Sequence, residues 1–328
     1  MTQPVGGDLH VDRVLTQFSV AWVQNSNDFI SSKVFPRLPV DKRTDRYKVY
    51  NRGAWRTDSG VAKRAPGTES RGIGWNYTHK TYFVDPFAVH VDLDDQTMSE
   101  ADNPLELPRE ATELITTRLL LHKELDWHNQ FFKSGVWATN PTPTGTDLWD
   151  DLASDPIGQM AEWVDLFTKI NSKAPNTIVM GADVWRALKN HPDLIDRIKY
   201  TQRGLVTADL IGSAFEVPRI LVSRATTVVG YEDHGSADTD NAAAANFSYI
   251  TNPKAMLLTY STATPRKMEP LAGLSITWKG YFSGNDKGVR IKRFRMEQIE
   301  SDRIEGMITF QHKLVAPTMG IYVNALVA

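Results

Sequence analysis

Cysteine is absent from the 328 residues. That removes disulfides, thiolate metal sites and any cysteine nucleophile, and it is compatible with a reducing compartment. Charge imbalance is also missing. The net charge is -2 and charged residues make up 23%, which argues against disorder and against a chain built throughout to bind nucleic acid. No apolar run approaches the roughly 20 residues that span a bilayer, and no basic and apolar leader opens the chain. A soluble protein made in the cytosol, with no membrane partner, is therefore expected. Internal repeats and low-complexity tracts are lacking as well.

The motifs of catalysis are equally scarce. GNDKGV, residues 284–289, is too short for a phosphate-binding loop and lies between strands. No Gly-x-Ser-x-Gly elbow occurs. The eight histidines are scattered, and His122 and His128 stand six apart on one helix rather than at metal-binding spacing. Asp92, Asp94 and Asp95 lack the glycine and terminal glutamate of a calcium loop. Glu113, Glu124 and Asp126 share a helix with His122 and read as a charged helix face. No constellation supports an enzyme, and neither a cofactor nor a metal is expected.

What is present is organised around residues 103–133, NPLELPREATELITTRLLLHKELDWHNQFFK. Asn103 caps, Pro104 suits the first helical position, and Pro108, which cannot donate to the preceding turn, predicts a kink there and a clean helix from Pro108 onward. At 1.5 Å per residue the helix is roughly 40 Å long. Leu114, Leu121 and Leu125 recur at helical spacing and are expected in the core beneath a sheet. Ahead of it, Tyr47 and Val49 favour one strand, and alternation from Trp75 to Leu93 favours another. Between them residues 57–74, rich in Gly, Ser, Ala and Arg, read as a mobile tip. A hairpin this long buries little of itself and needs a neighbouring chain. Arg52, Arg56, Lys63, Arg64 and Arg71 make it basic, which fits an acidic protein surface, phosphates or simply a solvated tip. The acidic stretch of Asp92, Asp94, Asp95 and Glu100 is the surface expected on the neighbour. Residues 11–40 fit either an arm with extended pieces or an ordinary domain edge, Pro36 and Pro39 excluding a continuous helix.

After a Pro- and Gly-rich break at 140–146, the pattern is helix (156–170), strand (176–181), helices (182–189, 191–200 and 207–215) and strand (219–223), an α/β order. From residue 271 onward four strand-like segments suggest a mainly antiparallel sheet that packs on the long helix.

Three stretches, KVFPRLPV (33–40), residues 176–225 and WKGYFSGNDKGVRIKRF (278–294), together with the order of parts, resemble the tailed-phage major capsid proteins of the Hong Kong phage type. Encapsulins share that fold. The resemblance implies an α+β fold: arm (1–40), extended hairpin or E-loop (41–91), peripheral domain with spine helix (92–139), α/β axial domain (140–264) and peripheral return strands (265–328). It implies an icosahedral shell of hexamers and pentamers around double-stranded DNA, assembled in the host cytoplasm with portal and scaffold proteins and a cement or decoration protein. An encapsulin compartment and a soluble α/β enzyme are the alternatives. Some members carry a scaffolding segment before the arm; none is expected here. Some cross-link a hairpin Lys to a peripheral Asn. Lys63 and Asn324 lie in suitable regions, but no motif fixes the pair.

Overall fold

A computed structural model describes residues 28–50, 53–100, 107–198, 207–228, 247–266, 269–279 and 289–328. The first 27 residues, Arg52 and the 103–106 cap lie outside the described residues. In chain order the elements begin with a single helical turn, α1 (Ser31–Val34), then β1 (Arg37–Val40), β2 (Thr44–Tyr50), β3 (Tyr77–Phe83) and β4 (Asp85–Asp94). Next come α2 (Asp95–Glu100), the long α3 (Leu107–Phe131) and α4 (Pro156–Asn171). An α/β run follows: β5 (Thr177–Met180), α5 (Ala182–Lys189), α6 (Pro192–Ile198), α7 (Ala208–Ala214) and β6 (Arg219–Val222). Seven strands complete the order: β7 (Thr226–Val228), β8 (Phe247–Tyr249), β9 (Met256–Thr259), β10 (Gly273–Trp278), β11 (Val289–Met296), β12 (Ser301–Leu314) and β13 (Gly320–Val323).

Two main sheets result. The peripheral sheet is built on β12, which pairs antiparallel with β11 on one edge and β4 on the other over Ser301–Ile308. Further along, β10 joins β12, and β1 adds in parallel to β10. The axial sheet has the order β13-β9-β5-β6. Its β5–β6 pair is parallel, as a crossover through helices requires. The Ile-Val-Met run of β5 and the Met-Leu-Leu run of β9 are buried on both faces, which is why they read as continuous apolar runs rather than alternation.

Two expectations change here. The chain end does not stay in the peripheral sheet: β13 pairs with β9 in the axial sheet, and the N–H of Asn324 bonds to Pro141 O at 3.3 Å. Asn324 is therefore an axial residue, also accepting from Asn252 at 3.3 Å. The alternation from Trp75 to Leu93 is not one strand. It breaks at the fully buried Val84, where the chain leaves the hairpin and enters the peripheral sheet as β4.

The spine helix explains why two cores exist. Leu107, Ala111, Ile115, Leu119, Lys123, Trp127 and Phe131 are all buried, each four residues from the last. A step of four overshoots a 3.6-residue turn by about 40°, so the buried line winds through about 240° from end to end. The first half faces the peripheral sheet, with Leu107, Ala111, Ile115 and Leu119 packed against Val289, Ile304, Ile308 and Phe310. The second half faces the axial unit, where Trp127, Phe131 and Phe132 join the larger core. Leu114 is 47% exposed, while Leu121 and Leu125 are half-buried, so the three are not the core seam. A fixed 3.6-residue stripe selects them, whereas packing follows the i+4 ridge.

Candidate assembly interface

The hairpin is anchored at its base, and Arg56 ties its far end to α4 of the same subunit. β2 and β3 pair from Thr44↔Phe83 to Tyr50↔Tyr77. At the base, Arg43 donates through Nε to Val84 O at 3.0 Å, lies 3.5 Å from Asp85 and sits over the Phe83 ring at 4.4 Å. Gln311 on β12 accepts from the Phe83 N–H at 3.0 Å. This fixes the exit angle of the hairpin while most of its length stays exposed.

Beyond the strands lies a collar of aromatic rings. Tyr50 meets Trp55 at 6.5 Å and Tyr77 at 6.3 Å between centroids, Trp55 meets Trp75 at 6.5 Å, and Lys48 Nζ lies 4.6 Å above the Tyr77 ring. Trp55 is 57% and Trp75 61% exposed, and Val61 and Ile73 in the tip stand at 82% and 75%. Exposure of this kind in a row marks an interaction surface. Reading the tip by its arginines overlooked this collar. The signal was available in the two Trp that bracket residues 57–74, a residue type enriched at interface hot spots.

The basic residues divide. Arg56 donates to the carbonyls of Lys169 and Ile170 at the C-terminal end of α4, where the helix dipole is negative. Arg64 donates to Thr68 O within the tip. Lys63 and Arg71 are exposed.

Three of the four acids of the acidic stretch, Asp92, Asp94 and Asp95, are engaged within their own subunit. Asp92 is gripped by Arg303 through two bonds of 2.6 and 2.7 Å, and this hydrogen bonding holds its carboxyl below the usual range. Asp95 is paired in the same way with Arg295. Asp94 caps α2, accepting from the Thr97 N–H at 2.8 Å and hydroxyl at 2.6 Å. These acids lock β4 and α2 to β11 and β12 within the subunit.

Where α3 passes from one core to the other it carries a buried polar seam. Glu124 accepts from the N–H of Ile30 at 2.8 Å and of Ser31 at 3.0 Å, and His128 Nε2 lies 3.1 Å from the same carboxylate. Thr251 Oγ1 lies 3.2 Å from His128 Nδ1 and hydrogen-bonds Ser223 Oγ. Lys123 Nζ donates to Ser32 Oγ at 2.9 Å, and His312 Nε2 lies 3.2 Å from Lys123 O. Glu124 and His128, i and i+4 beside Trp127, are thus fully buried rather than members of a charged face. Among the described residues no group of three metal-type ligands converges, and no helix is long and apolar enough to cross a membrane.

Residues 135–245 match the family described as phage major capsid protein E. The major capsid protein of Burkholderia phage BcepMu is 26% identical over 218 residues, 66% of this chain and 69% of that one. These matches support a tailed-phage major capsid protein. Its place is the virion. The fold agrees: a phage-related protein from Bordetella bronchiseptica RB50 superposes with a TM-score of 0.68 at 20% identity, over 96% of this chain and 97% of that one. The capsid structure of cyanophage P-SCSP1u gives 0.62 at 10% identity, covering 98% and 95%. An encapsulin from Synechococcus elongatus PCC 7942 shares the fold at 0.52 and 11% identity, covering 96% and 95%.

Proposed function

We propose that this capsid protein closes an icosahedral head of hexamers and pentamers around double-stranded DNA, with the hairpin of each copy laid on a neighbouring copy. The observation that carries this reading is the hairpin itself, tethered at its base by Arg43 and ending in exposed Trp55, Trp75, Val61 and Ile73. An isolated two-stranded ribbon is marginal in water, and a partner surface supplies the missing burial. Arg64 and Arg71 act by protein contact rather than on the genome. Each exposed pair contributes only about 0–1 kcal/mol, but a closed shell repeats it at every interface. The neighbour's receptor lies outside Asp92, Asp94 and Asp95, which are occupied within their own subunit. Portal, scaffold and cement proteins are the further partners this role calls for, and assembly takes place in the host cytoplasm. The role itself is structural and calls for no catalysis.

Deleting residues 57–72 is the test. A folded subunit that assembles poorly is expected, and wild-type yields of intact shells would refute the hairpin's role. Reversing Arg64 and Arg71 to Glu should lower the yield of empty shells, with raised salt mimicking the loss. Normal empty shells that fail only in DNA retention would assign the charges to the genome instead.

A further inference from the structure

The seam at Lys123, Glu124 and His128 is unused by the shell reading, and its geometry points to a function in the subunit. The N–H groups of Ile30 and Ser31 open the turn α1, and both are satisfied by one carboxylate from α3. Immediately after that turn, Phe35 is fully buried, 5.7 Å from Trp127, 5.0 Å from Phe131 and 6.3 Å from the ring of His312. Residues 30–35 therefore lie as a strap across α3. Beneath it are a buried carboxylate, a buried ammonium and two buried imidazoles. We propose that this strap is an acid-releasable clasp: Glu124 grips it by its backbone, and lifting it lets protons onto Glu124 and His312.

The chemistry follows from what each atom accepts. An ionised Glu124 uses both oxygens as acceptors, Oε1 for Ile30 and His128 and Oε2 for Ser31. A proton on either oxygen turns an acceptor into a donor facing an N–H, and the grip is lost. His312 has its Nε2 on Lys123 O, while its buried Nδ1 has no partner in the closed form. Lifting Phe35 gives that nitrogen access to water. The charged groups facing the clasp are Lys123 and His128 on α3, His312 on β12, Arg37 on β1, and Arg219 on β6, which donates to Lys33 O at 2.8 Å.

All the resolved shifts push the same way. Burial alone would raise Glu124, but hydrogen bonds from His128, Ser31 and Ile30 outweigh it and hold the carboxyl below its ordinary value. Burial, with Lys123 nearby, pushes His312 down to about 3. Burial likewise lowers Lys123 to about 8. In each case the closed form binds fewer protons than the open one, so closure weakens as pH falls. For Glu124 the closing contribution is present above its open value and lost as pH drops through the closed one. For His312 it is lost between about 6.5 and about 3.

Hydrogen exchange of residues 28–37, followed by mass spectrometry from pH 7 to 4 and corrected for intrinsic exchange, tests this. In the wild-type subunit the opening constant should rise between pH 6.5 and 4.5, by up to about 50-fold if opening restores His312 to its ordinary value. His312→Leu should remove most of that rise while keeping the segment protected at pH 7. Glu124→Gln should leave it fast-exchanging already at pH 7, with α3 and β12 still protected. If Glu124→Gln does not fold, the wild-type profile and His312→Leu decide. A profile independent of pH, or a segment that opens only together with β12, overturns the clasp. The shell reading stands or falls separately on particle images of the same preparation.

Discussion

Truncating neighbouring residues on the spine helix separates the i+4 ridge from the ordinary helical stripe. Ile115 is buried at 1% exposure beneath β12, and Leu114 beside it is 47% exposed. Ile115→Ala removes three buried carbons from a site closed by Gly306, Ile304 and Ile308, where the chain has little room to collapse. Such a change costs about 2–5 kcal/mol, transfer and cavity together. Leu114→Ala removes as many carbons from a side chain already half in water, with no cavity to leave, and should cost less than about 1 kcal/mol. Urea unfolding of the unassembled subunit provides the assay. The midpoint should fall for Ile115→Ala with an unchanged slope, and stay near wild type for Leu114→Ala. Unassembled subunit matters, because Leu114, Leu121 and Leu125 form a second apolar line that a neighbour in the shell can cover. Equal losses from the two variants would refute the winding seam and restore the stripe.

Gly306→Ala should destabilise by about 1–3 kcal/mol, since a Cβ there would stand 2.1 Å from Ile115 Cγ2. Combined with Ile115→Ala it should cost less than the sum of the two, and strict additivity in unfolding experiments would count against that contact. Asp92→Asn should lower subunit stability by about 1–3 kcal/mol by breaking the two-bond grip of Arg303. If it instead leaves stability untouched and lowers shell yield, the acid serves a neighbour after all.

Much of the axial unit was legible because its signals are local. Residues 182–189 and 156–170 carry an apolar face at helical spacing, and both are helices, with Asp155 accepting from the Gly158 N–H at 2.7 Å as the cap. The buried strand β5 and the half-buried β6 stand out as short apolar runs beside helices. Pairing partners were less accessible. Nothing within MGIYVNALV distinguishes an edge of the peripheral sheet from an edge of the axial one, since both bury apolar strands. The choice falls to β9, whose buried face meets β13 through Leu257↔Tyr322 and Leu258↔Ile321.

The site was harder to read for a reason that lies in the helix. A residue's burial on α3 depends on how far along the helix it sits, because the core changes sides midway. Lys123, Glu124 and His128 therefore look like a solvated face to any analysis that assumes one fixed direction of burial. They become interior groups once the seam is allowed to wind. The winding also explains their chemistry. At the crossing from the peripheral core to the axial core the helix is covered by the strap at Ile30–Phe35, whose Ile30, Val34 and Phe35 belong to the axial cluster with Trp127. A strap crossing a helix brings unpaired backbone N–H groups into the interior, and a buried N–H requires an acceptor. Glu124 is that acceptor, and its charge in turn calls for His128 and Lys123 nearby. The polar seam is thus a consequence of joining two cores with one helix, and the arrangement that makes the fold continuous also makes the strap sensitive to protons.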